Sequence, residues 1–169
     1  MTDTKFTKGY SLIEMVIYVS LLTALFIMAI NMLLSFSQSY KTLSALRIAE
    51  HSAIDSMERI TREVRSATSV DSANSTLGTS PGVITLVATS AGVSTTTKFY
   101  VQNGVLKVDV AGVYLGPLTL SSATTTNLVF RLLNNGTSNA VKIDLTVEAT
   151  AGNITKAKTY HSTVILQRN

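Results

Sequence analysis

Apolar and polar positions follow two different periods along this chain, and the change from one to the other falls near Val70. From Tyr10 to Phe36 nearly every residue is apolar or small, and Glu14 is the only charge in the run. At 1.5 Å per residue such a run makes roughly 40 Å of helix, enough to cross a hydrocarbon core of about 30 Å with some tilt. Beyond it Leu46, Ala49, Ala53, Met57, Ile60, Val64 and Ala67 recur at spacings of three and four, the repeat of one helix face. Charges on the opposite side fall at i,i+4 as Asp55/Arg59, Glu58/Arg62 and Arg59/Glu63. No Pro or Gly interrupts Tyr10 to Ser69. The two segments therefore read as one helix of nearly 60 residues, roughly 85–90 Å at the standard rise, apolar all round in its first half and amphipathic in its second.

After Val70 the composition shifts to Ser, Thr, Asn and Gly and the period shifts to two. Turn residues predict a loop from Asp71 to Gly82. Strands are predicted at Val83–Thr89, Thr95–Gln102, Val105–Val110, Leu118–Ser121, Asn127–Leu133, Ala140–Thr150 and Ile154–Gln167. Asn103-Gly104, flanked by alternating runs, is a hairpin signal. A two-residue turn there sets Val101 opposite Leu106 and Phe99 opposite Val108 on one face, and an ion pair between Lys98 and Asp109 on the other. The run Val141–Ala149 alternates cleanly, so its sheet has one covered and one wet face. The Leu46–Ala67 stripe is the natural cover. The expected fold class is α+β, a long N-terminal helix packed by its second half on an antiparallel β-sheet head.

The first half of the helix poses a different problem, because nothing in the sequence is set aside to cover it. A cleavable secretory signal has an apolar region of only about 7–15 residues ending at small residues, and this run is about twice as long with no such break. A plain single-pass anchor matches the length but leaves Glu14 unexplained, since a carboxylate in lipid costs on the order of 2.5 kcal/mol or more without a partner. Within its own helix Glu14 is expected to have none. Lys5 and Lys8 precede the run, which places the short N-terminal stub in the cytoplasm and the remaining chain outside the inner membrane.

The junction Lys8-Gly9-Tyr10-Ser11-Leu12-Ile13-Glu14, followed by an uninterrupted apolar helix, resembles the N-terminus of the type IV prepilins and pseudopilins. In that family the leader ends in Gly, the mature chain opens with an apolar or aromatic residue, and its fifth residue is Glu. The resemblance implies a leader over residues 1–9, cleavage between Gly9 and Tyr10 by a membrane-bound prepilin peptidase, and N-methylation of Tyr10. It further implies a transmembrane and assembly segment over 10–40, an amphipathic segment over 41–69 and a β-rich pilin-like head over 70–169. Glu14 of one subunit would pair with the new ammonium of another in a desolvated setting, as buried charges require. The implied partners are the peptidase, other pilin or pseudopilin subunits and an inner-membrane assembly platform. The product would be an extracytoplasmic filament or a cell-surface structure. The stretch Ser52–Ala67 looks more like the minor pilins and the J-type pseudopilins of type II secretion than like a major pilin. Two family features are missing: no cysteine is present for a C-terminal disulfide, and Asn31 stands near the place where many major pilins carry Pro.

Candidate chemistry elsewhere is sparse, and the sequence predicts a structural subunit without catalytic role, cofactor or metal. His51, Asp55 and Glu58 share a helix face but match no ligand motif, and Arg59 and Arg62 lie beside them. His161 stands alone in the terminal strand, with no carboxylate near it in sequence. No Gly-x-Ser-x-Gly occurs. Asn-x-Ser/Thr triplets at Asn74, Asn135 and Asn153 are expected by chance in a chain this rich in Thr. Tyr18 and Tyr40 read as packing and interfacial residues of the membrane segment. Net charge is +4, and loss of a leader holding Lys5, Lys8 and Asp3 leaves twelve cations against nine anions. An excess of that size, with no evident cluster of lysines, makes nucleic acid an unlikely partner. Two alternatives differ in class: a DNA-uptake or adhesive tip pilin, and a single-pass anchored surface domain that never polymerises.

Overall fold

A computed structural model describes residues 11–90, 92–134 and 139–167. Helix α1 runs Leu12–Ser66, and its residues fall into two compact units, one reaching to Tyr40 and the other beginning at Lys41. In the first unit every apolar side chain of the long run is exposed, and the run is long and apolar enough to cross a membrane. Its hydroxyls turn back on their own helix: Ser20 donates to the Ile17 carbonyl at 2.8 Å and Thr23 to that of Val19 at 2.7 Å. This is how polar side chains are satisfied where no water is at hand.

The second unit is an α+β head. A five-stranded antiparallel sheet contains β1 (Ser69–Val70), β2 (Ile84–Ser90), β3 (Val93–Gln102), β4 (Val105–Val110) and β5 (Val113–Pro117) in that order. A three-stranded antiparallel sheet contains β6 (Ala123–Asn134), β7 (Asn139–Ala151) and β8 (Ile154–Ile165). The β3–β4 hairpin turns on Asn103 and Gly104, both at positive φ, and its register sets Val101 opposite Leu106, Phe99 opposite Val108 and Lys98 opposite Asp109. The ion pair expected across that register is replaced by a relay. The Tyr100 hydroxyl donates to Asp109 Oδ1 at 3.1 Å, and Lys98 Nζ lies 5.7 Å from the centroid of the Tyr100 ring.

Two other expectations are corrected. The helix ends at Ser66 and not Ser69, because Thr68 already donates its N–H to the Val87 carbonyl and Ser69–Val70 pair as a strand. Leu118–Ser121 is not a strand. A second two-residue turn at Ala111-Gly112, with φ 51° and 80°, returns the chain at once, so β4 pairs with Val113–Pro117 instead. The displaced segment is held by the Leu118 N–H, which donates to the Leu106 carbonyl at 2.8 Å, and by side chains. Ser56 Oγ donates to the Leu118 carbonyl at 3.2 Å, the Leu120 N–H donates to Ser52 Oγ at 3.2 Å, and Thr119 Oγ1 accepts the Leu106 N–H at 3.2 Å. Its backbone polar groups thus find partners without a ladder.

One core joins all three layers. Ala49, Ala53, Ile60 and Val64 of α1 meet Ile84, Leu86, Phe99, Leu106 and Val108 of one sheet and Leu128, Phe130, Val141, Ile143 and Leu145 of the other, all fully or almost fully buried. Full burial of each large side chain contributes about 1.5–3 kcal/mol, against a few tenths for an exposed helix ion pair. The charged face of α1 is therefore ornament to this packing. Arg62 meets Glu58 at 2.6 Å and Arg59 meets Glu63 at 2.9 Å, while Asp55 turns to His51 at 3.5 Å and not to Arg59. At Gly104, φ is 74° and an added Cβ would lie 2.6 Å from Thr124 Cγ2. Gly104→Ala should destabilise the head by about 1–2 kcal/mol through the left-handed backbone alone. Urea unfolding of a fragment starting at Lys41 measures this, and an unchanged midpoint would contradict the turn.

Candidate functional site

Helix propagation from Ser11 sets the chemistry at the N-terminus. The Ser11 carbonyl accepts the Glu14 N–H at 3.0 Å and the Met15 N–H at 3.2 Å, so Glu14 lies in the first turn of α1, where unsatisfied N–H groups favour an anion. The expectation that Glu14 lacks any partner in its own helix is corrected. Tyr18, one turn on, donates its hydroxyl to Glu14 Oε1 at 3.2 Å. A phenol shares the carboxylate's hydrogen bonding but carries no positive charge, so the anion still lacks a counter-cation among the described residues. Gly9 and Tyr10, where the resemblance to prepilins implies cleavage and methylation, lie outside the described residues, as does Asn135.

In the head, strand register assembles a cluster that sequence reasoning missed. Asp144 of β7 is buried, and Arg131 Nη1 of β6 and His161 Nδ1 of β8 reach its two oxygens at 2.6 and 2.7 Å. His161 is thus not isolated from carboxylates. The signal was present: Gly152-Asn153 is a two-residue turn, and counting back from it sets Asp144 opposite His161. The bond to His161, followed by the charges of Lys142 and Arg131, holds the Asp144 carboxyl below the usual carboxylate range against an opposing push from burial.

The remaining charged groups serve local structure. A cleft of about 290 Å³ is lined by Asp71, Asn74, Thr85, Lys98 and Asp109, among others. Asp71 accepts the Asn74 side-chain amide at 2.7 Å and the N–H groups of Ala73 and Asn74, which closes the loop after β1 and lowers its pKa. Asp109 is engaged by Tyr100. His51 and Asp55 are largely exposed, and Glu58 faces Arg62. Among the described residues no group of three metal-ligating side chains converges.

No protein-family model matches this chain, and no curated protein or solved structure is detectably similar to it. The residues themselves carry the functional argument.

The Asp144 cluster predicts how the head responds to acid. A carboxyl whose folded pKa lies below its unfolded value of about 3.8 adds stability above that value, and this is lost as pH falls through the folded pKa. Asp71 acts in the same direction. Asp144→Asn should therefore flatten, without abolishing, the fall in stability below about pH 4, as read from thermal melts across the acid range. An acid limb identical to the parent's would show that the cluster is not linked to folding.

Proposed function

We propose that this chain is a structural subunit of a type IV pilus-like filament, of the minor pilin or pseudopilin kind, with no catalytic chemistry of its own. A prepilin peptidase removes residues 1–9 and methylates Tyr10. The apolar half of α1 holds the subunit in the inner membrane until a platform adds it to the filament through that same helix. The observation that carries this reading is Glu14: a lone carboxylate near the start of an uncovered apolar helix, one residue pattern away from Lys8-Gly9-Tyr10. A plain anchor gains nothing from such a charge, whereas a subunit whose own α-amine sits four residues before it supplies a cation for a neighbour's Glu14. Exposure of every large apolar side chain from Leu12 to Phe36 supports the same reading, because lipid and neighbouring helices are the two surroundings in which that surface is stable.

Protein isolated from its native membrane is expected to begin at Tyr10 and to carry the mass of one added methyl group. Intact-mass analysis decides this, and an N-terminus at Met1 in cells that possess the peptidase would end the pilin reading.

Glu14→Ala should insert in the membrane at least as well as the parent, since an expensive charge is gone, while its recovery in sheared filaments falls at least tenfold, a loss of the order expected when one buried charge is left unpaired. Equal recovery of the two proteins would exclude pairing at Glu14. Tyr18→Phe removes only the neutral hydrogen bond and should assemble nearly normally.

A further inference from the structure

Lysines that are remote in sequence are brought to one end of the head by its last hairpin. Strand β8 runs beside α1, and three contacts fix its direction. The Lys41 side chain lies along Gly152 in the β7–β8 turn, its Cδ, Cε and Nζ 3.4, 3.4 and 3.5 Å from where a Cβ would stand. The Tyr160 hydroxyl donates to Glu50 Oε1 at 3.4 Å. The Gln167 N–H donates to the Ala67 carbonyl at 3.0 Å. The turn at Gly152-Asn153 is therefore at the Lys41 end, and Lys41 follows the apolar run by only five residues.

Charge at this end has one dominant sign. Lys156 and Lys158 pair with Ala149 and Val147, whose side chains are buried toward α1, so both lysines project from the helix-facing side of the hairpin. Lys156 is four residues from Gly152, about 13 Å at strand rise. Residues 37–49 hold Lys41 and Arg47 and no acid; residues 149–160 hold Lys156 and Lys158 and no acid. Glu148 alternates to the opposite face of β7, while Glu50 meets the Tyr160 hydroxyl and lines a cleft with Arg47 and Asp55, which sets Arg47 apart from the three lysines. The end of the hairpin, Thr150 to Thr155, is uncharged. None of the four cations has a carboxylate within ion-pair distance among the described residues.

We infer that the β7–β8 turn, with Lys41, Lys156 and Lys158, is a contact surface for anionic lipid headgroups, which docks the head on the membrane face before the subunit is extracted. The inference rests on the membrane-held part of the function proposed above and not on polymerisation. Each cation near an anionic surface strengthens attachment by about fivefold, the equivalent of ~1 kcal/mol, and the effect decays within a Debye length. Three together hold a head already tethered by its own helix. Addition to a filament must then break these contacts, so lipid charge would set how readily the subunit leaves the bilayer.

The chain has no cysteine, so Asn153→Cys gives a unique nitroxide site in the turn of the full-length protein. In vesicles containing phosphatidylglycerol the label should be shielded from an aqueous nickel chelate, and in phosphatidylcholine vesicles it should not. About 1 M NaCl, which shortens the Debye length to about 3 Å, should remove the shielding. Lys156→Gln with Lys158→Gln should weaken attachment by up to about 25-fold, whereas Arg65→Gln, which removes one cation near the other end of the head, should leave it intact. Shielding equal in both lipids, or unaffected by salt and by the paired lysine change, would overturn the inference. So would a label indifferent to lipid but immobilised by duplex DNA at physiological salt, which would assign the cations to nucleic acid. Equal filament recovery in Glu14→Ala with lipid-dependent shielding retained would count against the filament reading and leave this inference standing, whereas loss of filaments with shielding equal in both lipids would sink this inference alone.

Discussion

Packing of one face of α1 on the two sheets is the constraint from which the rest of the head follows. The covered face of the helix begins with small side chains, Ala45, Ala49, Ser52, Ala53 and Ser56, and only then reaches Ile60 and Val64. Small residues on the helix leave space that large strand side chains such as Phe99 and Phe130 fill, so most of the buried volume comes from the strands. Two of the small residues are serines, and they are what hold Leu118 and Leu120 in a non-strand conformation. Replacing them by larger apolar residues would fill space that the 118–120 segment occupies and would orphan its backbone groups together.

The same helix is asked to do opposite things in its two units. From Lys41 onward it has a covered stripe and a charged face, and its packing is internal. Up to Tyr40 it has no covered side at all, and its polar side chains are satisfied locally by helix carbonyls or, for Glu14, by a neighbouring phenol. A surface of that kind is stable only in a bilayer or among other apolar helices. The proposed filament subunit uses both surroundings in turn, and Glu14 is the feature that distinguishes such a helix from an inert anchor.

Charges in the head divide by function along the same lines. Asp144, Asp71 and Asp109 are each engaged by groups that fix strand or loop geometry. The first sheet ends on β5, an open edge with Val113, Tyr114 and Leu115 exposed, blunted by Pro117, which has no N–H to offer, and by Lys107 over the Tyr114 ring. The lysines at the β7–β8 turn have no carboxylate within ion-pair distance among the described residues.

Local order alone determined much of this protein. The long helix, its change from apolar to amphipathic character near Lys41, and the Asn103-Gly104 hairpin with its residue pairing all follow from periods and turn chemistry within short windows. So does the Lys8-Gly9-Tyr10…Glu14 pattern, which needs no fold to be read. Tertiary structure decided what depends on distant partners. Leu118–Ser121 alternates like a strand, yet an Ala-Gly turn upstream had already given its ladder to Val113–Pro117. Ser52 and Ser56 look like polar interruptions of a stripe until the segment they bind is in place. Asp144 meets His161, and Lys41 meets the turn before Lys156, only through β7–β8 register and the packing of β8 along α1, because side chains this far apart in sequence are joined by the fold and by nothing local.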